Sequence, residues 1–220
     1  MKSLIAGATG LVGGHLLKLL LNNESVERVI SIGRRPSGLS TGKLQHISMN
    51  FDTIPKQLDF SAETAFCCLG TTIKKAGSQE EFRRVDHDYV IAFARLAQRA
   101  GVKRFLVISA LGADPKSKIF YNRVKGEMEA SITSMGFPSS AFFRPSLLLG
   151  ERAEKRLLEH LAVSLYPLYK YLFTGPLAKQ RPIPAETVAR AMLHYSFHPK
   201  PGPHVVMNAE MFHAEPLSSG

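Results

Sequence analysis

The sequence predicts an α/β fold: a doubly wound parallel sheet with a small C-terminal substrate or lid region. Three observations carry that prediction. The first is Lys2 to Gly14, KSLIAGATGLVGG, where an apolar strand runs through a glycine turn into a helix. The second is the alternation downstream of short apolar strands with amphipathic helices, as expected of a parallel sheet covered on both faces. The third is positional. Gly7, Arg34, Asp52, Gly70, Ser109 and Pro145 all fall at the carboxyl ends of predicted strands, where sheets of this kind bind ligands.

In chain order, Leu4-Ile5-Ala6 forms the opening strand, and Leu16, Leu17, Leu19 and Leu20 follow the turn at helical spacing. Gly7, Gly10 and Gly13 are spaced G-x-x-G-x-x-G, which leaves the backbone free of Cβ atoms where a pyrophosphate approaches a helix N-terminus. Val26 to Ile32 is the second strand, ended by the basic turn Arg34-Arg35-Pro36-Ser37-Gly38. Leu44 to Met49 is a shorter third strand, and Thr64 to Leu69 is an almost wholly apolar fourth. A Gly/Thr/Lys-rich loop, Gly70 to Gly77, precedes a long helix over Phe82 to Ala100, capped by Gly101. Arg104 to Ile108 is the fifth strand, Lys118 to Met135 a helix, and Ser140 to Arg144 a sixth strand broken by Pro145. Residues 1–150 therefore form the nucleotide-binding core, and residues 151–220 a small region completing the same domain. In that second region, Arg152 to Leu161 and Pro184 to Phe197 read as helices, and His204 to Asn208 as a last strand. The aromatic run Tyr166 to Phe173 fits a lid, a partner surface or plain core, and Pro216 to Gly220 a frayed tail.

At 45% hydrophobic and 21% charged residues, the composition is that of an ordinary globular protein with a substantial core. The formal charge of +10 raises polyanions as ligands. The basic residues come as scattered pairs, Arg34-Arg35, Lys74-Lys75 and Arg83-Arg84. They suit a polyanionic cofactor, and nucleic acid is not expected as a partner. Two adjacent cysteines, Cys67 and Cys68, offer no disulfide framework. With no secretory pattern at the start, a reducing, cytoplasmic setting is expected. No run of about 18 apolar residues suggests a membrane span. The expected assembly is a monomer or a homodimer.

The chemistry is carried by two groups of residues. The second strand ends in Arg34 and Arg35, about 20 residues beyond Gly13, where an NAD-binding chain carries a carboxylate for the ribose 2′-hydroxyl. Guanidinium groups there suit a 2′-phosphate and favour NADP(H). Tyr121 and Lys125 lie four apart on one helix face, and Ser109 ends the preceding strand. An ammonium beside a phenol lowers the phenol pKa from about 10. Tyr121 can then exchange a proton with a carbonyl or alcohol oxygen, with Ser109 holding the same oxygen. His87 sits between Asp86 and Asp88, but adjacent helical residues point in different directions, so no metal site is expected.

GATGLVG, GRR, CLGTT (Cys68 to Thr72), ISALGAD followed by YNRVKGEME, and FRPSLLLG together resemble the short-chain dehydrogenase/reductases. Within them the chain is most similar to the atypical group of the HIV Tat-interacting-protein oxidoreductase, over roughly residues 1 to 200. The resemblance implies a Rossmann fold binding NADP(H). It places Gly7, Thr9, Gly10, Leu11, Val12 and Gly13 around the pyrophosphate, and Arg34 and Arg35 on the 2′-phosphate. Phe51 and Asp52 would lie near the adenine, and Leu69, Gly70 and Thr71 beside the cofactor ribose. Tyr121 and Lys125 become the catalytic pair, Lys125 also bonding the nicotinamide ribose, with Pro145 and Ser146 flanking the nicotinamide. Two departures are evident: Val85-Asp86-His87-Asp88 stands where the larger family often carries a catalytic asparagine, and the region after Gly150 is short for a member with a separate substrate domain. Some relatives in the group are regulators acting through protein partners. The two expected functions are thus an NADP(H)-dependent oxidoreductase acting on a carbonyl/alcohol pair, and an NADP(H)-binding regulator.

Overall fold

The computed structural model describes residues 1–53, 59–149 and 181–214. The chain opens with β1 (Lys2–Ala6), α1 (Leu11–Asn22) and β2 (Arg28–Gly33), a parallel βαβ unit in the expected place. β3 (Leu44–Ser48) pairs with the outer side of β2. The chain then crosses to the other side of β1, where β4 (Thr64–Cys67) pairs with it. β5 (Arg104–Ile108) and β6 (Ser139–Arg144) continue outward. A small parallel pair, β7 (Leu148–Leu149) with β8 (Ile183–Pro184), stands apart. Finally β9 (Gly202–Met207) adds to β6. The seven-stranded sheet reads β3-β2-β1-β4-β5-β6-β9 and is parallel throughout. Its order reverses between β1 and β4, which opens a crevice at their carboxyl ends.

Alternation along the strands divides the core into two layers. Leu4, Ile30, Ala65, Phe105 and Phe142 face one side, packed beneath α4 (Tyr89–Arg99) and α5 (Phe120–Ser134). Ile5, Val29, Phe66, Leu106 and Phe143 face the other, beneath α1 and α6 (Ala185–Phe197). Both layers are closed to solvent at the centre, with Phe66, Phe105 and Phe143 fully buried. Each such side chain contributes about 1.5–3 kcal/mol over leaving it exposed. β9, α6 and the short α7 (Asn208–Met211) belong to the expected second region and join this same sheet and core.

Several elements differ from the sequence reading. The loop after β4 contains a one-turn helix, α2 (Ile73–Ala76), because the Thr72 side chain accepts the Lys75 N–H at 3.2 Å and Gly77 ends it at φ +84°. The long helix starts earlier, as α3 (Gln79–Arg83), with the Ser78 hydroxyl accepting the Glu81 N–H. It then widens into a π turn over Arg84–Asp88 before α4. The 3.6-residue apolar pattern cannot reveal such a widening, and its cause lies in the site. The expected helix at 152–161, the aromatic run at 166–173 and the tail at 216–220 lie outside the described residues.

Candidate dinucleotide and catalytic site

The glycine turn is built by close backbone approach. Gly7 has φ +80°, and a Cβ on it would stand 2.4 Å from the Cys68 carbonyl oxygen at the end of β4. A Cβ on Gly13 would stand 2.1 Å from the Gly7 oxygen. β1, the first turn of α1 and the end of β4 are thereby held backbone to backbone. Gly10 is the N-cap of α1 and supplies no capping side chain. The first N–H groups of α1 are left for a ligand, as an anion site requires. Val12 is buried in the core below, while Leu11 is exposed.

A cleft of about 200 Å³ lies over these carboxyl ends. Gly7, Thr9 and Gly10 line one side, and Leu69 and Gly70 the other. Arg34 and Arg35 reach it from the end of β2, exposed and without an ion-pair partner among the described residues. Phe51, Val85 and Tyr89 supply an apolar wall of a kind an adenine ring can stack on. Asp52 stands behind this wall. Its carboxylate accepts from Arg84 at 2.8 and 3.3 Å and from the Tyr89 hydroxyl at 3.0 Å. The Arg84 hydrogen bonds hold it below the usual carboxylate range. Uncapped amides, two guanidinium groups without an ion-pair partner among the described residues and an apolar wall fit a dinucleotide. Gly13, Val12 and Asp52 shape the cleft rather than line it.

Tyr121 and Lys125 share one face of α5, and a third group joins them. The Lys125 Nζ is 2.7 Å from the Asp86 Oδ1, with the side chains 3% and 1% exposed. The other oxygen of Asp86 accepts the Thr71 N–H at 2.8 Å. The π turn thus sets a carboxylate between the loop after β4 and the helix of the expected catalytic pair. Burial opposes the Lys125 charge, but Asp86 and Tyr121 outweigh it and hold the ammonium above its ordinary range. Tyr121 departs from expectation. Burial pushes its phenol above the ordinary value, and the pull of Lys125 is offset by the push of Asp86. A lysine that is paired with a carboxylate does not lower a neighbouring phenol as a bare one would.

Ser109 is not brought to this group. Its hydroxyl, 2% exposed, donates to Glu129. Glu129 is gripped by Arg144 through two bonds at 2.9 and 2.6 Å. Pro145 is buried, its carbonyl accepting the Leu111 N–H at 2.9 Å, and the Ser146 N–H donates to Asn208. The sequence reading missed both Asp86 and Glu129. The signal for Asp86 was present: Phe82, Asp86 and Val90 recur at intervals of four on one buried face. A carboxylate within an apolar stripe needs a cationic partner. Asp86 goes to Lys125 and Thr71, whereas His87 bonds Asp88 and Ser131.

Cys67 is buried at the end of β4, and burial pushes its thiol up to about 12. Only the thiolate is nucleophilic. Iodoacetamide at pH 8 is therefore expected to leave Cys67 unmodified in the native protein and to label it in denaturant. Mass spectrometry of the peptide reads this out, and labelling without denaturant contradicts it.

A family profile described as NAD(P)H-binding matches residues 7–136. Protein HTATIP2 of Rattus norvegicus is 36% identical over 203 residues, spanning 90% of this chain and 82% of that protein. The chain is an atypical short-chain dehydrogenase/reductase of the HTATIP2 group. Another relative of this family, protein FMP52-1, mitochondrial, of Scheffersomyces stipitis, is 35% identical over 80% of this chain and 79% of its own length. Among solved structures, MoeE5 in complex with UDP-glucose and NAD superposes with a TM-score of 0.67 at 18% identity, covering 94% of this chain and 75% of that one. A short chain dehydrogenase family protein from Francisella tularensis gives 0.64 at 15% identity, covering 97% and 99%. These likenesses establish the fold. The expectation of a cytoplasmic protein is overturned: FMP52 proteins of Scheffersomyces stipitis, Debaryomyces hansenii and Emericella nidulans are named as mitochondrial, so membership of this family does not place a chain in the cytoplasm. No helix among the described residues is long and apolar enough to cross a membrane.

Proposed function

We propose that the chain is an NADP(H)-dependent oxidoreductase that interconverts a carbonyl and an alcohol. The observation that carries the cofactor choice is Arg34 with Arg35, at the end of β2 and lining the cleft, with no ion-pair partner among the described residues. They bind a 2′-phosphate by charge-assisted contact, and the open N-terminus of α1 receives the pyrophosphate. When bound, NADPH supplies the hydride delivered to the carbonyl carbon. Tyr121 supplies the proton to the carbonyl oxygen. A phenol is protonated at neutral pH, so Tyr121 has that proton to give, and burial holds its pKa above the ordinary range. Lys125, fixed by Asp86, holds positive charge beside the phenolate left behind. The substrate side is expected in residues 151–220, of which α6 and β9 complete the sheet and its core.

Tyr121→Phe is expected to slow NADPH oxidation on a panel of aldehydes and ketones by about 10²–10⁴-fold. NADPH affinity, read by fluorescence titration, should stay unchanged. Failure of NADPH to bind at tens of micromolar would end this reading. A second reading follows from Ser109, whose hydroxyl is committed to Glu129 rather than to Tyr121. On it the protein binds NADP(H) and acts through a protein partner without turnover. Tight NADPH binding with no Tyr121-dependent turnover on the whole panel decides for that alternative.

A further inference from the structure

We propose that His46 is a third contact for the cofactor's 2′-phosphate, donating from Nε2 beside Arg34 and Arg35. The inference rests on the NADP(H) reading above and adds to it the residue that separates NADPH from NADH by geometry as well as charge. His46 lies on β3, in register with Ser31 of β2. Its Nδ1 is 2.9 Å from the Ser31 Oγ, and Ser31 is buried. When the hydroxyl donates to Nδ1, the hydrogen of the neutral imidazole stands on Nε2. Nε2 is buried and has no hydrogen-bond partner among the described residues. Buried polar atoms without a partner are uncommon in folded proteins, and this one belongs to a residue lining the same cleft as the two arginines.

The faces of the sheet say which part of the ligand His46 meets. Val29 packs on the α1 side and Ile30 and Ile32 on the other, so Ser31 and its partner His46 project to the α1 side. Phe51 and Tyr89, the wall suited to a base, belong to the opposite layer. An adenine stacked there leaves its ribose phosphate, not its ring, over His46. Arg34 and Arg35 sit on a turn and carry charge. His46 sits on a strand with its ring fixed by Ser31, and supplies an N–H of set direction. A ribose bearing only a 2′-hydroxyl lacks the anionic oxygen this donor reaches for.

The test is a fluorescence titration of NADPH and NADH with the wild type, His46→Leu, His46→Gln, Ser31→Ala and the double variant Arg34→Ala/Arg35→Ala. His46→Leu should weaken NADPH binding about ten- to a hundredfold, the range of one charge-assisted hydrogen bond, and leave NADH within about twofold. His46→Gln, whose amide can donate from near the Nε2 position, should recover most of the NADPH affinity, and Ser31→Ala should lose part of it. Equal losses for NADPH and NADH in a folded His46→Leu would mark a structural role and overturn the inference. A wild type that prefers NADPH, with the arginine pair erasing that preference and His46→Leu keeping it, also overturns the inference while the cofactor reading stands. A wild type that binds NADH as tightly as NADPH removes the cofactor reading and this inference with it. Should His46→Leu not fold, His46→Gln and Ser31→Ala decide on the same NADPH/NADH ratio.

Discussion

Replacing Asp86 with alanine is expected to destabilise the protein by about 3–5 kcal/mol, because it leaves the Lys125 ammonium buried with no counter-charge. That is a large share of the roughly 5–15 kcal/mol that holds a typical domain together. For a chain of this size it corresponds to a fall in Tm of about 6–20 °C. The pH dependence distinguishes a lost ion pair from a plain cavity. In the wild type the Lys125 pKa is raised. Its contribution is complete below about 10.4, the unfolded lysine value, and is lost as pH rises through the folded value. In Asp86→Ala the chief support of the Lys125 charge is gone, and burial, the largest influence on it, is expected to lower its pKa. The unfolded state then binds the extra proton, so the variant gains stability with rising pH up to about 10. The gap between the two proteins should be widest near neutrality and narrow on the alkaline side. Urea unfolding at pH 7, 8.5 and 10 measures it. A constant gap would mean that Asp86 acts by packing rather than by charge.

Asp86 also shows where a sequence stops being informative. The chain's local chemistry was readable: the glycine spacing placed the β1–α1 turn, β5 lies at Arg104–Ile108 as expected, and Arg34 and Arg35 do end β2 at the cleft. Each of these depends on residues near one another in the chain. That Tyr121 and Lys125 share one helix face was legible for the same reason, the two being one helical turn apart. Their charge state was not, since it is set by a carboxylate 39 residues before Lys125 in a π turn that the helical period conceals. Ser109 failed similarly. Its position at a strand end was right, but Glu129, from the middle of α5, takes its hydroxyl. The β7–β8 pair joins two-residue strands, too short to give an alternating pattern. Compartment is not a property of the folded core at all, so cysteine usage was a weak guide to it.

The neighbouring glycines of α1 should respond to alanine in opposite directions. At Gly13 a Cβ would lie 2.1 Å from the Gly7 carbonyl oxygen and 2.8 Å from its carbon. Both are backbone atoms of a turn that is itself pressed against Cys68, so neither can turn aside as a side chain would. Relief requires α1 to move away from β1, which widens the turn proposed to receive the pyrophosphate. Gly13→Ala is expected to cost about 3 kcal/mol or more, at the upper end of core overpacking, and to abolish measurable NADPH binding. At Gly14 a Cβ meets only the Ala8 oxygen, at 3.7 Å, an ordinary contact, and the residue lies inside the helix. Gly14→Ala should therefore stabilise the protein by about 0.5–1 kcal/mol, since alanine loses less backbone entropy than glycine in forming a helix. Its NADPH affinity should match the wild type. Nothing in the letters of GATGLVGG separates the two glycines beyond the spacing of the motif, so the pair tests whether that spacing reflects backbone contact. If both variants melt and bind alike, the turn yields more readily than its contacts indicate, and the motif would owe its glycines to something other than the approach of α1 to β1.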